Sequence, residues 1–351
     1  MRDDPLRVGV IGLGRLWDAR HKPALLRMTD RFRVVALYDQ VARRAEIEAE
    51  QLRCEPVDGL RALIERSDID AFYLLTPQWF GLHPVEIACE AGKAIYCASP
   101  LSGRADELER LVGLVHQAGI PFMPELARRF YPATLRLREL IATTLGRPRL
   151  IVGHARLGGY DRYSPPGPAS QLLPAPLAVD PGGNMLDWCR FVLDLEPTSI
   201  QAFGAEVFRD NPDGSGAVVL PGDDYEAFAV GFPGGAVAQM SLARYHRDVW
   251  GDAHQFLPPP GFQVFAERGV AWLEMPDLIR WSDAGGLHQE KLPLEPSVGE
   301  MLNDHFHRLV RGQQSLAPTI DDALAMTRLV SRGRQSRVEG RVVSIDPVVS
   351  P

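Results

Sequence analysis

Val8-Gly9-Val10-Ile11-Gly12-Leu13-Gly14-Arg15-Leu16-Trp17 decides the fold. The apolar residues make a buried strand, and Gly12 lets the chain leave it tightly. Gly14 removes a side chain where a pyrophosphate would approach the backbone. The helix that follows would aim its free N–H groups and positive end at that phosphate. Arg15 and Leu16 open this helix and join Gly12 and Gly14 as candidate cofactor contacts. Arg15 either reaches a pyrophosphate oxygen or faces solvent. Further on, Phe32-Arg33-Val34-Val35-Ala36-Leu37-Tyr38-Asp39 reads as the second parallel strand, with an acid at its carboxyl end where a ribose hydroxyl would be held. Asp39 would repel a 2′-phosphate and so favours NAD over NADP, a preference tempered by Arg43 and Arg44 close behind. Trp17 stands where the third small residue of the fingerprint belongs. The bland alternative is a Rossmann-like domain that keeps its turn glycines for packing alone.

Composition narrows the field. A chain of 351 residues can hold two domains with ordinary cores. A net charge of -7, without basic runs, argues against a nucleic-acid surface. No apolar run approaches the roughly 20 residues of a membrane span, and the first residues lack a signal-peptide pattern, so a cytoplasmic protein is expected. Cys54, Cys89, Cys97 and Cys189 show no metal spacing and read as free thiols. Arginine far outnumbers lysine, which occurs only at Lys22, Lys93 and Lys291.

Along the chain, helices alternate with short apolar strands up to about residue 125. Helices are expected at 41–51, 57–66, 83–91 and 105–118, and strands at 71–75, 93–97 and 120–123. That alternation predicts a doubly wound parallel sheet with right-handed crossovers. Thr76, Pro77 and Trp79 leave a strand at the carboxyl edge, where ligands of such sheets sit. They are candidate cofactor contacts, with Trp79 stacking on a base or merely covering the sheet. The grammar then changes. A helix over 132–144 precedes strands at 149–156, 199–208, 225–232, 236–245 and 262–273, with Pro233-Gly234-Gly235 as a hairpin turn. One helix, 183–195, interrupts them. This predicts a mostly antiparallel, open-faced sheet. Residues 158–181, rich in Pro, Gly and Ser, read as an ordered loop. Helices at 298–311 and 320–337 close the chain and are expected to pack back on the first domain. The expected fold is therefore α/β: a Rossmann domain over 1–125 and an α+β domain over 126–351.

The order of these pieces resembles the Gfo/Idh/MocA family, the glucose–fructose oxidoreductase and inositol dehydrogenase group, over nearly the whole chain. The resemblance rests on Gly12-Leu13-Gly14 with His21-Lys22-Pro23-Ala24, Asp39, Thr76-Pro77, Glu90-Ala91-Gly92-Lys93 and Pro100-Leu101. It continues through Arg128-Arg129-Phe130-Tyr131-Pro132, Gly182-Gly183 with Asp187 and Asp194, and Ser336 with Gly340-Arg341-Val342-Val343. It implies hydride transfer between NAD or NADP and a sugar, cyclitol or related hydroxyl compound. In that family a lysine in a Glu-Lys-Pro motif and a histidine four residues after an aspartate move the proton. Alcohol oxidation needs a base within reach of the hydroxyl proton and a cation for the developing alkoxide.

This chain departs from the pattern at those places. The lysine position is Ser99 in Ala98-Ser99-Pro100, and four after Asp187 stands Phe191. The histidine often found five after the Thr of Thr-Pro is Gly81, with His83 two residues off register. Ser99 offers no ammonium, Phe191 moves no proton, and none of the three lysines is an obvious substitute. Biliverdin reductases, relatives with Tyr at the lysine position, still reduce a substrate. The departures therefore exclude the usual mechanism rather than redox chemistry.

The remaining candidates each carry two readings. Asp187, at the start of the interrupting helix, is an acid–base candidate or a helix-start anion. Arg190, one turn on, binds a carboxylate or phosphate or is ion-paired. Tyr163, in the loop with Tyr160, Asp161 and Arg162, is a proton donor only if a neighbour lowers its pKa. Of Arg128 and Arg129, at least one is expected to pack structurally. His154 on the first strand of the second domain and His246 at a strand end read as hydrogen-bonded sheet histidines. His305 and His307, two apart on a helix, cannot share a metal, and no metal site is expected. Three functions remain open: an NAD(P)-dependent oxidoreductase with an unconventional proton route, a catalytically degenerate ligand- or partner-binding protein, and a non-redox enzyme such as a lyase. Trp17 discriminates. A ring filling the pyrophosphate position favours the second, and one turned away favours the first. The expected partners are a small-molecule substrate or ligand and further copies of the chain, neither nucleic acid nor membrane. In the family the open sheet face is a frequent dimer surface, which implies a homo-oligomer.

Overall fold

The structure is a computed structural model and describes residues 4–75, 80–98, 105–157, 181–205, 225–244 and 261–345. They fall into two compact units. One comprises the chain up to Phe130 together with Leu294–Ala325, and the other comprises 131–293 and the chain from Met326.

The first unit holds a six-stranded parallel sheet of β1 (Leu6–Ile11), β2 (Phe32–Tyr38), β3 (Glu55–Pro56), β4 (Ala71–Leu74), β5 (Ala94–Cys97) and β6 (Phe122–Pro124), in the order β3-β2-β1-β4-β5-β6. This is the doubly wound order whose direction reverses beside β1, the place where such sheets bind ligands. Every residue of β4 and β5 is buried, as a strand covered on both faces requires. Between the strands run α1 (Lys22–Arg27), α2 (Ala42–Leu52), α3 (Leu60–Ile64), α4 (His83–Ala91) and α5 (Ala105–Ala118). Gly92, at a φ of 65°, ends α4 in the left-handed conformation. Past β6, residues Ala127–Phe130 make one tight turn of helix.

In the second unit α6 (Pro132–Leu140) runs into a wide turn, Ile141–Leu145. Then come β7 (Pro148–Leu157), α7 (Pro181–Leu193), β8 (Ser199–Ala205), β9 (Tyr225–Gly231), β10 (Val237–Arg244), β11 (Gly261–Ala266), β12 (Gly269–Glu274), β13 (Leu278–Asp283) and β14 (Gly286–Lys291). Here α8 (Val298–Val310) returns to the first unit. The last helix, α9 (Ile320–Glu339), divides between the units, and β15 (Val343–Ser344) completes the second. The sheet order is β14-β13-β12-β11-β7-β10-β9-β8-β15. Among the described residues of this sheet only β7 and β10 pair in parallel, and the Pro233–Gly235 turn joins antiparallel β9 and β10.

Two expectations for this sheet need correction. The single strand expected over 262–273 is a hairpin, β11 and β12, broken at Glu267 and Arg268. Its apolar alternation continues on either side of the turn, which hides the break. The pair β13 and β14 was not anticipated, because residues 286–291 lack an apolar run and β14 is largely exposed. One face of the sheet meets α6 and α7. Trp188 of α7 is fully buried there, with its ring centroid 4.3 Å from that of Phe262 and its Nε1 donating to Thr134 Oγ1 at 2.9 Å.

Candidate functional site

Gly12 has a φ of 94°, which a side chain would strain, and its N–H donates to Tyr38 O at 2.8 Å. That bond closes the turn between β1 and the end of β2. A Cβ built on Gly14 meets nothing within 4 Å, so the backbone there is open to approach. The helix begins at residue 15, and Asp18 N donates to Gly14 O at 3.1 Å. The N–H groups of Gly14, Arg15 and Leu16 precede this bond, as at any helix start. An open cleft of about 580 Å³ lies here, lined by Leu13, Gly14, Arg15, Asp18, Ala19, Arg44 and Glu48.

Asp39 ties the turn together. Its Oδ2 accepts the Leu13 N–H at 2.8 Å and its Oδ1 accepts the Val41 N–H at 2.9 Å. Arg44 Nη1 stands 3.8 Å from Oδ2, while Arg43 pairs with Glu46 at 2.9 Å. Trp17 does not fill the turn. Only 1% exposed, it packs into the core with Val10, Leu13 and Leu25, and its Nε1 donates to Glu48 Oε2 at 3.2 Å. The sequence left two places for this ring, and the structure puts it under the turn.

The cause is local. Residues Trp17–His21 form a π turn in which Lys22 N donates to Trp17 O, five residues back. Pro23 follows, with no N–H to give and a ring that crowds the carbonyl four residues before it. A widened turn just ahead of the proline relieves both problems.

The π turn delivers a cluster that sequence reasoning missed. His21 is fully buried, and its Nε2 lies 2.9 Å from Glu125 Oε2. Tyr96 OH donates to the same oxygen at 2.9 Å, and Arg20 donates to Oε1. Burial alone would push the Glu125 carboxyl up, but His21, Arg20 and Tyr96 outweigh it and hold the group at about 2. Burial drives the Tyr73 and Tyr96 hydroxyls well above their ordinary range. Tyr73 OH donates to Asn303 Oδ1 at 3.2 Å. Two buried atoms here, His21 Nδ1 and Asn303 Nδ2, have no hydrogen-bond partner. Each such atom costs about 1–3 kcal/mol. The signal in the sequence was Glu125 itself, an acid placed straight after a short apolar strand, as Asp39 is.

In the second unit α7 brings Asp187 and Arg190 together; the helix begins at Pro181, so Asp187 stands at its middle and not at its start, and the helix-start anion reading does not hold. Their side chains are 2% and 7% exposed, and Arg190 Nη1 donates to Asp187 Oδ1 at 3.2 Å. Arg190 Nε and Nη2 also grip Glu196, at 2.9 and 2.5 Å, a bidentate fork. Phe191 lies beneath the Arg138 guanidinium, 4.2 Å from the ring centroid. The lysines have structural places: Lys22 pairs with Glu48 at 2.7 Å, and Lys93 donates to the carbonyls of Arg66 and Ile69 at 3.0 and 2.6 Å. Arg129 pairs with Asp322 at 2.8 Å, and His154 Nδ1 lies 2.7 Å from Ser241 Oγ. His305 Nδ1 takes the Leu316 N–H at 3.1 Å, and His307 lies edge-on to Phe32. Among the described residues no group of three His, Cys, Asp or Glu could hold a metal, and no helix is long and apolar enough to cross a membrane. Thr76, Pro77, Trp79, Ser99, Tyr160, Asp161, Arg162, Tyr163 and His246 lie outside the described residues.

The parallel sheet, its order and the glycine turn define a Rossmann protein of the dinucleotide-binding class. Residues 6–126 match the model of an oxidoreductase family with an NAD-binding Rossmann fold, Gfo/Idh/MocA. Inositol 2-dehydrogenase of Rhizobium meliloti is 25% identical over 351 residues, covering 97% of this chain and 99% of that protein. A dTDP-3,4-didehydro-2,6-dideoxy-alpha-D-glucose 3-reductase of Actinomadura kijaniata is 27% identical over 201 residues, 57% of this chain and 56% of its own length. Aldose-aldose oxidoreductase of Caulobacter crescentus, solved with glycerol, shares the fold with a TM-score of 0.80 at 20% identity, covering 97% of this chain and 100% of that one. Residues 6–126 thus match the NAD-binding Rossmann domain of the Gfo/Idh/MocA oxidoreductases, and the chain as a whole is similar to the dehydrogenases and reductases just named.

Proposed function

We propose that the protein is an NAD(H)-dependent oxidoreductase of sugar- or cyclitol-like hydroxyl or carbonyl compounds, with a proton route that does not use the family's lysine and histidine. The observation that carries this reading is the open glycine turn, with Trp17 packed beneath it and Gly14 unobstructed. The residues present fit a dinucleotide. The N–H groups of Gly14, Arg15 and Leu16 would hold the pyrophosphate, aided by the Arg15 guanidinium, and Asp39 would hold the ribose. Thr76, Pro77 and Trp79 would complete that site. When bound, the nicotinamide gives or takes the hydride. NAD is the favoured form because Asp39 faces the ribose position; Arg44, 3.8 Å from that carboxylate, is the residue that would let NADP compete.

For the proton we place Asp187 in the acid–base role, with Arg190 holding its carboxylate and Tyr163 as the donor to the substrate oxygen. Supporting this reading is the burial of a carboxylate–guanidinium pair in the middle of α7, at the aspartate that carries the family resemblance. A screen of sugars, cyclitols and their keto forms, followed by nicotinamide absorbance, tests the proposal. Turnover with at least one compound, lost in Asp187→Asn and Tyr163→Phe while NADH binding survives, is the expected result. NADH binding without turnover across the screen would favour the catalytically degenerate alternative.

We also place the protein in the cytoplasm, on its free thiols Cys54, Cys89, Cys97 and Cys189, and as a homo-oligomer through the open sheet face. Across eight strands one row of that face reads Gln201, Ala229, Gln239, Val152, Gln263, Trp272, Arg280 and Gln289. Arg280 is the single charge in a row of amides that can pair with a second copy. Light scattering on the purified protein reads the mass.

A further inference from the structure

Three structural elements of the first unit converge on one carboxylate. Arg20 and His21 come from the π turn, Tyr96 from β5, and Glu125 itself stands just past β6. Glu125 is anchored to the carboxyl edge of the sheet, because its N–H donates to Cys97 O at 2.8 Å. The helix carrying Arg20 and His21 is the one whose first residues, Arg15 and Leu16, line the cofactor turn. On its other side α8 presses close: a Cβ on Gly299 would lie 2.7 Å from Arg20 O and 3.1 Å from Ala24 Cβ. The π turn is thus held between a buried anion and a helix backbone. Fold stability alone does not explain that anion. Well-packed apolar groups of similar volume commonly do as well as a buried ion pair, and this pair also leaves His21 Nδ1 without a partner. Buried charge clusters of this kind concentrate at functional sites.

We propose that Glu125 is a positioning residue for the cofactor turn, fixing the helix after Gly14 at the height where its N–H groups meet a dinucleotide pyrophosphate. The inference rests on the dinucleotide-binding reading above. Glu125 touches neither cofactor nor substrate; it acts through Arg20 and His21.

Glu125→Gln keeps the shape and removes the charge. Calorimetric titration with NADH should show affinity at least about tenfold weaker than wild type, and Glu125→Asp should recover part of it. AMP, which carries no pyrophosphate bridge, should lose much less. The indole N–H signal of Trp17, assigned through Trp17→Phe in ¹⁵N-labelled protein, reports the π turn directly. It should shift in Glu125→Gln while those of Trp188, Trp272 and Trp281 in the second unit stay in place. An NADH affinity within about twofold of wild type in a folded Glu125→Gln protein overturns the proposal. If that variant does not fold, Tyr96→Phe decides, since it removes one donor from the carboxylate and keeps the ring packing; a loss of about threefold supports the role, and no loss overturns it. Should wild type itself bind no dinucleotide, the broader functional reading fails, and an unmoved Trp17 signal in Glu125→Gln would overturn the positioning role as well.

Discussion

Asp39 and Asp187 are both acids that the sequence marks as candidate site residues, and they are engaged in opposite ways. Asp39 spends its oxygens on the backbone N–H groups of Leu13 and Val41, and its nearby cation, Arg44, is half-exposed and 3.8 Å away. The result is a braced but open turn. Asp187 is buried against Arg190, which is itself clamped by Glu196. Four residues after Asp187, Phe191 lies under the Arg138 guanidinium. The glycine turn is open to approach, and the carboxylate on α7 is closed in by an arginine. The two acids depend on different contacts, so either can change without disturbing the other.

The contrast is open to direct attack. Arg190→Met should have the largest effect. It removes the Arg190 cation from the buried Asp187 carboxylate and should cost about 3–5 kcal/mol, read as a drop in the urea midpoint. Asp187→Leu with Arg190→Met should recover most of that loss, which would mark the pair as dispensable for folding and free to serve chemistry.

The next effect is on pH dependence. Glu125 is held at about 2 against an ordinary 4.5, so its contribution to stability is complete above about pH 4.5 and fades as the pH falls through about 2. The difference is on the order of 3 kcal/mol. Urea midpoints of wild type and Glu125→Gln should therefore lie apart at about pH 5 and converge toward pH 2. Parallel curves would mean that the carboxylate is not held down by its partners.

Gly14→Val should weaken NADH binding by about 30-fold, or ~2 kcal/mol, with little change in melting temperature, because a Cβ there meets no atom within 4 Å. A large loss of stability instead would mean that the turn is packed rather than open. The smallest effect is expected from Phe191→His. A histidine under the Arg138 guanidinium has its charged form disfavoured, so restoring the family residue alone should give no gain in turnover.

The first domain was legible because its signals are local. Gly12 and Gly14 act within one turn of chain, Asp39 directly follows the next strand, and buried strands such as β5 are short apolar runs between glycine-ended helices. The hairpin of β11 and β12 was obscured because the alternation carries across Glu267 and Arg268. Strand β14 was missed because its pairing with β13, not its own hydrophobicity, makes it a strand. The Glu125 cluster was hidden for a third reason. Residues 21, 96, 125 and 303 are brought together only by the sheet order and by the return of α8, which no spacing in the chain announces. Trp17 was ambiguous in sequence because both of its places are compatible with a helix start. The π turn ahead of Pro23 chose between them.

Dinucleotide binding depends on the openness of the glycine turn, and a calorimetric titration of the purified protein with NADH tests that most directly. Saturable binding in the micromolar range at one site per chain is the expected result. No heat and no binding with either NADH or NADPH would contradict it, and would leave the glycines of the turn as packing alone.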